Sequence, residues 1–419
     1  MNKTLTVVGQ GYVGLPLAQA ATHAGWRVRG LDVTPSLVDA LNSGRSHVDD
    51  LSDGDITSML KLGYRASTDP AVIAESDFIV ICVPTPLSEN GGPDLSAVRS
   101  AAAAIGKNLV NGSTVILEST TYPGTTDDVV VPILEQESGM SATEDFYVAF
   151  SPERINPGDK EFGVTNTPKL VGGVTAEAAE RAGGFYKEFI REVVELSGTK
   201  EAETAKLLEN TFRHVNIALV NEMSKFCHEM GIDVWEVIRG ASTKPFGFMR
   251  FTPGPGVGGH CIPIDPNYLA YQVETQLGYP FRFVELAQEI NNSMPRYIAD
   301  RITALLNDEG KPVRGTRILL LGVTYKPDIA DQRESPAVPV AEKLQRLGAD
   351  LRFHDPHVSE WRLPDSTLTR EQDLDSAVES SDLVVLLQAH SAYDTQSIAE
   401  RAPLFFDTRG STRGVGHRL

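Results

Sequence analysis

The chain is poor in cysteine, long apolar runs and positive charge. Its three cysteines, Cys82, Cys227 and Cys261, form neither a disulfide framework nor a CxxC zinc pattern. No metal site is therefore expected. No stretch approaches the roughly 18 consecutive apolar residues that a membrane-spanning helix needs. The N-terminal Met-Asn-Lys leads into an apolar run too short for a signal peptide. A reducing cytoplasm is the expected compartment. The net charge of −18 argues against nucleic acid or an anionic membrane surface as partner. An anionic ligand would have to be met by local Lys, Arg and backbone N–H groups. Internal repeats and low-complexity runs are also lacking.

What is present is ordinary globular material, 41% hydrophobic and 22% charged over 419 residues, enough for two or three domains. Thr4 to Gly9 reads as a buried strand. Gly9-Gln-Gly11-Tyr-Val-Gly14 follows, then a helix over Leu15 to Gly25, then a strand over Arg27 to Asp32. This is the dinucleotide-binding order. Gly9 permits the turn, Gly11 lets the backbone approach a pyrophosphate, Gly14 lets helix and strand pack, and Asp32 accepts from a ribose hydroxyl. An acid at position 32 favours NAD over NADP.

Further strands are read at Asp77–Pro84, Thr114–Thr120 and Tyr147–Glu153. Each runs into a polar, proline-containing turn, as expected along one ligand-binding edge. Lys200 to Met230 contains no Gly or Pro and reads as a long helix. Lys206, Asn210 and Arg213 share one face of it, either a solvated stripe or the lining of a cleft. Glu285 to Leu306 reads as helix with a kink or break at Pro295. Strands return at Arg317–Tyr325, Asp350–His354, Asp382–Leu387 and Leu404–Asp407, with a helix over Ala337–Leu347, and Ser411–Leu419 reads as a frayed tail. The fold class is α/β: two Rossmann-like parallel-sheet domains joined by a long central helix. The expected boundaries are an NAD-binding domain over 1–198, a helical connector over 199–309 and a second Rossmann-like domain over 310–419.

The least regular stretch is Pro253 to Asp265, with four glycines and three prolines around Cys261. Its composition excludes regular structure and lets backbone approach a ligand. Cys261 is either a nucleophile on an open loop or a small core thiol.

Taken together, GQGYVGLPLA at Gly9–Ala18, CVPTP at Cys82–Pro86, ESTTYPGTT at Glu118–Thr126 and SPERINPG at Ser151–Gly158 resemble the nucleotide-sugar 6-dehydrogenases. So do AKLLENTFRHVNIALVNEM at Ala205–Met223, GPGVGGHCIPIDP at Gly254–Pro266 and YKPDIADQRESPA at Tyr325–Ala337. The resemblance spans nearly the whole chain. It implies oxidation of a primary alcohol to a carboxylate with two successive NAD⁺. Cys261 would capture the intermediate aldehyde as a thiohemiacetal, later a thioester. Lys206 and Asn210 would stabilise oxyanion charge, Asp265 and Thr120 would hold an acid–base water, and Glu153 would serve hydrolysis. Tyr12, Val13, Pro84, Thr85, Thr120 and Arg333 would help hold NAD. Glu153, Arg154, Lys206, Asn210, Phe251, Gly258 and Lys326 would line the UDP-sugar site, with Arg213 at the sugar and Arg409 on the nucleotide side. The long helix would form the core of a homodimer or higher homo-oligomer.

One departure stands out. UDP-glucose dehydrogenases carry a second glutamate four residues after the one matched by Glu153, and here that position is Pro157. The stretches Ser119–Thr126 and Thr243–Phe248 look closest to the UDP-N-acetyl-D-glucosamine branch. UDP-N-acetyl-D-mannosamine and UDP-glucose are the alternatives. Two further readings share the layout. A two-electron 3-hydroxy-acid dehydrogenase would not need Cys261, and a non-catalytic NAD-binding regulator would need neither Cys261 nor Lys206 and Asn210.

Overall fold

The computed structural model describes residues 4–48, 50–88, 92–154, 161–259 and 262–419. The chain divides into two compact units, one of residues 1–209 and 267–277, the other of 210–266 and 278–419.

The first unit holds an eight-stranded sheet: β1 (Thr4–Val8), β2 (Arg27–Leu31), β3 (Arg65–Ser67), β4 (Phe78–Ile81), β5 (Thr114–Leu117), β6 (Tyr147–Phe150), β7 (Lys169–Gly173) and β8 (Val193–Leu196). Their order is β3-β2-β1-β4-β5-β6-β7-β8. The strands pair parallel except where β6 meets β7. β4 is apolar throughout because it is covered on both faces. Phe78 and Val80 enter one core cluster, Ile79 and Ile81 the other. The order reverses between β1 and β4, so the loops after these two strands flank the crevice where such sheets take ligands.

The second unit repeats the design with β9 (Arg317–Leu321), β10 (Asp350–His354), β13 (Leu383–Leu386), β14 (Phe405–Asp407) and β15 (His417–Arg418), ordered β10-β9-β13-β14-β15 and parallel throughout. A hairpin of β11 (Glu360–Leu363) and β12 (Ser366–Thr369) forms a separate two-stranded sheet, and its Trp361 is buried against Phe353 of β10. Ile318 and Leu320 face one core, Leu319 and Leu321 the other. The reversal falls between β9 and β13.

One sequence expectation is corrected here. The C-terminal segment is not frayed: β15 extends the sheet beside β14, and Trp235 donates its indole N–H to the Leu419 carbonyl at 2.9 Å. Thr412 is fully buried, with its N–H and hydroxyl both donating to Asp407. The helix expected around Pro295 is present and runs unbroken from Arg282 to Asp308, with the proline inside it. Proline in a helix costs about 3 kcal/mol. Burial of Met294, Ile298, Ile302 and Leu306 on the same helix offsets that, at roughly 1.5–3 kcal/mol each. The first long helix spans Thr199–Glu229, as its lack of Gly and Pro predicts. Among the described residues no helix is long and apolar enough to cross a membrane.

Candidate active site

The glycine turn after β1 is shaped for a dinucleotide. Gly9 has φ +93°, and a Cβ there would lie 2.5 Å from the Cys82 carbonyl oxygen; a Cβ on Gly14 would lie 1.9 Å from the Gly9 oxygen. Side chains are excluded at both. At Gly11, by contrast, a Cβ would meet nothing within 4 Å, which leaves open space beside the backbone. The helix Gly14–His23 starts without a side-chain cap or an acid in its first turn, so no carboxylate there competes with an incoming phosphate. Asp32 follows β2 and accepts the Gln10 N–H at 3.0 Å and the Thr34 N–H at 3.0 Å, which fixes its carboxylate beside the turn. Tyr12 and Val13 pack half-buried on the core beneath. These residues fit NAD.

The turns after β4 and β5 are tied together. The Thr85 hydroxyl donates to the Thr120 carbonyl at 2.8 Å, Ser119 Oγ donates to the Val83 carbonyl at 2.7 Å, and the Tyr268 hydroxyl donates to the Thr85 carbonyl. Pro84 is exposed and Thr120 half-buried. After β6, Arg154 donates to the Pro168 carbonyl at 2.6 Å and pairs with Glu209 at 2.8 Å. The loop continuing from Arg154, with the Pro157 departure, lies outside the described residues, as do His260 and Cys261.

The polar stripe on the long helix splits. Lys206 is 8% exposed and Asn210 is 5% exposed, whereas Arg213 is exposed. The Lys206 ammonium donates to the Glu153 carbonyl. Asn210 donates its amide to Asp265, a 3% exposed carboxylate that opens the helix Asp265–Leu277. Elsewhere in the second unit, Phe251 packs edge-on against Phe212, and Lys326 is half-buried. Arg333 is partly exposed and forked onto Asp331 at 2.6 and 2.8 Å. Arg409 donates to the Leu387 carbonyl at 2.6 Å, and its guanidinium lies 2.7 Å from where a Gly254 Cβ would stand. Burial lowers its pKa to about 10, with Asp407 opposing, so it stays cationic at neutral pH.

Sequence reasoning missed two buried carboxylates. Glu118, in the turn after β5, sits 3.0 Å from the Lys169 ammonium and accepts from the Tyr186 hydroxyl. Burial pushes its carboxyl above the usual range, with Lys169 opposing. Glu203 lies one helical turn before Lys206 on the same helix face. It accepts from the Gly124 N–H at 2.6 Å, the Thr126 N–H at 2.9 Å and the Thr126 hydroxyl at 2.7 Å, and so ties the turn after Thr120 to the helix. The only signal was an acid on the face already marked by Lys206.

Burial pushes Glu203 up to about 7, although these three hydrogen bonds favour the charged form. Its folded value lies above its unfolded one near 4.5, so its stabilising contribution is full below about pH 4.5 and lost as pH rises through about 7. Glu203→Gln, whose amide N–H must face a backbone N–H, should destabilise by roughly 1–3 kcal/mol at pH 5. Calorimetry across pH should show the gap between wild type and variant narrowing from about pH 5 to pH 8. A gap that widens would reverse the assigned shift.

Three family models match in succession. The UDP-glucose/GDP-mannose dehydrogenase family, NAD binding domain, matches residues 3–190; its central domain matches 200–293, and its UDP binding domain 319–413. The chain is 37% identical over 358 residues to a UDP-N-acetyl-D-glucosamine 6-dehydrogenase of Pseudomonas aeruginosa, covering 85% of this chain and 83% of that protein. It is 34% identical over 400 residues to a UDP-N-acetyl-D-mannosamine dehydrogenase of Methanococcus maripaludis, covering 93% and 87%. The solved UDP-D-ManNAc dehydrogenase from Pyrococcus horikoshii superposes with a TM-score of 0.90 at 32% identity, over 99% of both chains.

Proposed function

The chain belongs to the UDP-glucose/GDP-mannose dehydrogenase family and is an NAD-dependent oxidoreductase, and from that premise we propose that it oxidises the C6 alcohol of UDP-N-acetyl-D-glucosamine to the uronic acid. The product would feed synthesis of a surface polysaccharide in the cytoplasm. The observation that carries the reading is the burial of Lys206 and Asn210 one turn apart, with Asp265 held by Asn210. A buried cation, an amide and a carboxylate at one stretch of helix suit charge that develops on a substrate oxygen.

NAD⁺, when bound, supplies the hydride acceptor for each of the two oxidations. In this reading a water held by Asp265 and Thr120 takes the hydroxyl proton as the alcohol becomes an aldehyde. The Cys261 thiolate adds to the aldehyde carbon, and Lys206 and Asn210 carry the oxyanion. The second oxidation turns this thiohemiacetal into a thioester. Water, activated at Glu153, cleaves the carbon–sulfur bond, releasing the acid and restoring the thiol. Gly9, Gly11, Tyr12, Val13, Gly14, Asp32, Pro84, Thr85 and Arg333 hold the dinucleotide. Arg154, Phe251, Gly258, Lys326 and Arg409 take the UDP-sugar.

In this reading residues 1–198 bind NAD, 199–309 form the connector and 310–419 bind the UDP part of the substrate. The chain would form a homodimer or higher homo-oligomer through the long helix, a reading supported by its stripe of exposed apolar side chains: Leu208, Phe212, Leu219, Met223 and Phe226.

The sugar is assigned from the stretches Ser119–Thr126 and Thr243–Phe248 and from the similarity to the Pseudomonas aeruginosa enzyme. The test is kcat/KM for UDP-N-acetylglucosamine, UDP-N-acetylmannosamine and UDP-glucose, side by side. The glucosamine nucleotide is expected to lead by at least about tenfold, roughly one good polar contact. Turnover of UDP-glucose with neither N-acetylhexosamine accepted would sink it.

A further inference from the structure

The reversal between β9 and β13 makes the loops after these strands, residues 322–336 and 387–394, the rims of a crevice at the second sheet. The first rim carries Tyr325, Lys326 and Arg333. It also packs on the glycine-rich stretch: a Cβ on Gly258 would lie 2.4 Å from the Glu334 carbonyl oxygen and 2.7 Å from Tyr325 Cβ.

That rim is held from outside. Gln388 donates its amide to the Tyr325 carbonyl at 3.0 Å. The Ser391 N–H and hydroxyl donate to Asp328 Oδ1 at 2.8 and 3.0 Å. The Asp328 N–H donates to His390 Nδ1 at 2.9 Å. Asp328 has φ +62°, in the left-handed region that non-glycine residues rarely enter, so these bonds impose a shape the local chain would not choose.

His390 is buried, and its other nitrogen, Nε2, lies 3.0 Å from Asp355 Oδ2. Asp355 is fully buried and also accepts from the Val323 and His357 N–H groups, both at 2.8 Å. Burial works to raise its carboxyl, but the His390 bond, with these backbone donors, holds it below the usual range. An ionised carboxylate only accepts, so the ring proton belongs on Nε2 and the lone pair on Nδ1, where the Asp328 N–H needs it.

We propose that His390, oriented by Asp355, is a positioning residue whose Nδ1-unprotonated tautomer locks loop 324–333 in the shape that presents Lys326 to the UDP-sugar. The inference rests on the UDP-sugar reading above. The donor atoms of Asp328, His357 and His390 lie within 4.8 Å of one another, a spacing that could suit a cation. The Nδ1 lone pair, however, is already engaged by a backbone N–H, so a cation would have to break the bond that shapes the loop. The lock accounts for the cluster without one.

The test compares two side chains that each keep half of the histidine. Asparagine places its carbonyl oxygen near the Nδ1 position and can still accept from the Asp328 N–H. Glutamine reaches toward Asp355 and leaves that N–H without an acceptor. UDP affinity measured by calorimetry should stay within about threefold of wild type in His390→Asn and weaken about tenfold or more in His390→Gln, with kcat at saturating substrate changing less than affinity. ¹⁵N-histidine NMR, with His390 assigned by its loss in either variant, should show protonated Nε2 and bare Nδ1. Equal losses in the two variants, or a protonated Nδ1 in the wild type, would overturn the lock. Failure of the wild type to oxidise any UDP-sugar would sink the proposed activity instead, because UDP binding and the tautomer are both read without turnover.

Discussion

Cys261→Ser is expected to abolish formation of the uronic acid, by at least about 10³-fold. A serine hydroxyl is far less acidic than a thiol and gives no comparable anion at neutral pH. The first oxidation needs no thiol, so the variant should release at most one NADH per sugar nucleotide, and hydroxylamine should trap an aldehyde. The other two cysteines cannot substitute. Burial pushes the Cys82 thiol well above its ordinary range, and burial raises Cys227 as well. Both therefore stay protonated, and both sit in packed cores. Full turnover to the acid in Cys261→Ser would favour a two-electron dehydrogenase over the present account.

The second large effect is expected at Lys206. Lys206→Met keeps most of the buried stem and removes only the charge. If the ammonium stabilises developing oxyanion charge, kcat should fall by about 10²–10³, the usual loss for one such donor, with a smaller change in KM. The ammonium also donates to the Glu153 carbonyl, so part of the loss will come from the turn after β6. KM separates the two contributions. A displaced turn after β6 would weaken substrate binding, so a fall in kcat with KM near the wild-type value points to the oxyanion role. Near-normal kcat in Lys206→Met would leave Lys206 a structural clamp.

Legibility in the sequence followed the range of the interaction. The turn from Gly9 to Gly14 with its flanking strands was readable because each glycine answers a local steric demand, such as the 1.9 Å approach at Gly14. The helix Thr199–Glu229 was readable because nothing in it punctuates a helix. What failed depended on distant partners. β15 has two residues, too few for any period, and exists because β14 and Trp235 receive it. The stripe Lys206, Asn210, Arg213 could not be resolved from spacing, because burial at two positions and exposure at the third depends on what covers the helix. Glu118 looks like a strand-end acid until Lys169 and Tyr186 arrive from β7 and a following helix. His390 is a plain histidine after an apolar strand; only Asp355 and the Asp328 N–H define its tautomer.

The decisive measurement is the NADH formed per limiting UDP-N-acetylglucosamine with NAD⁺ in excess. Two NADH per sugar nucleotide are expected, with the uronic acid as product. One NADH, with the reaction stopping at an aldehyde or ketone, would contradict the four-electron chemistry and the role given to Cys261.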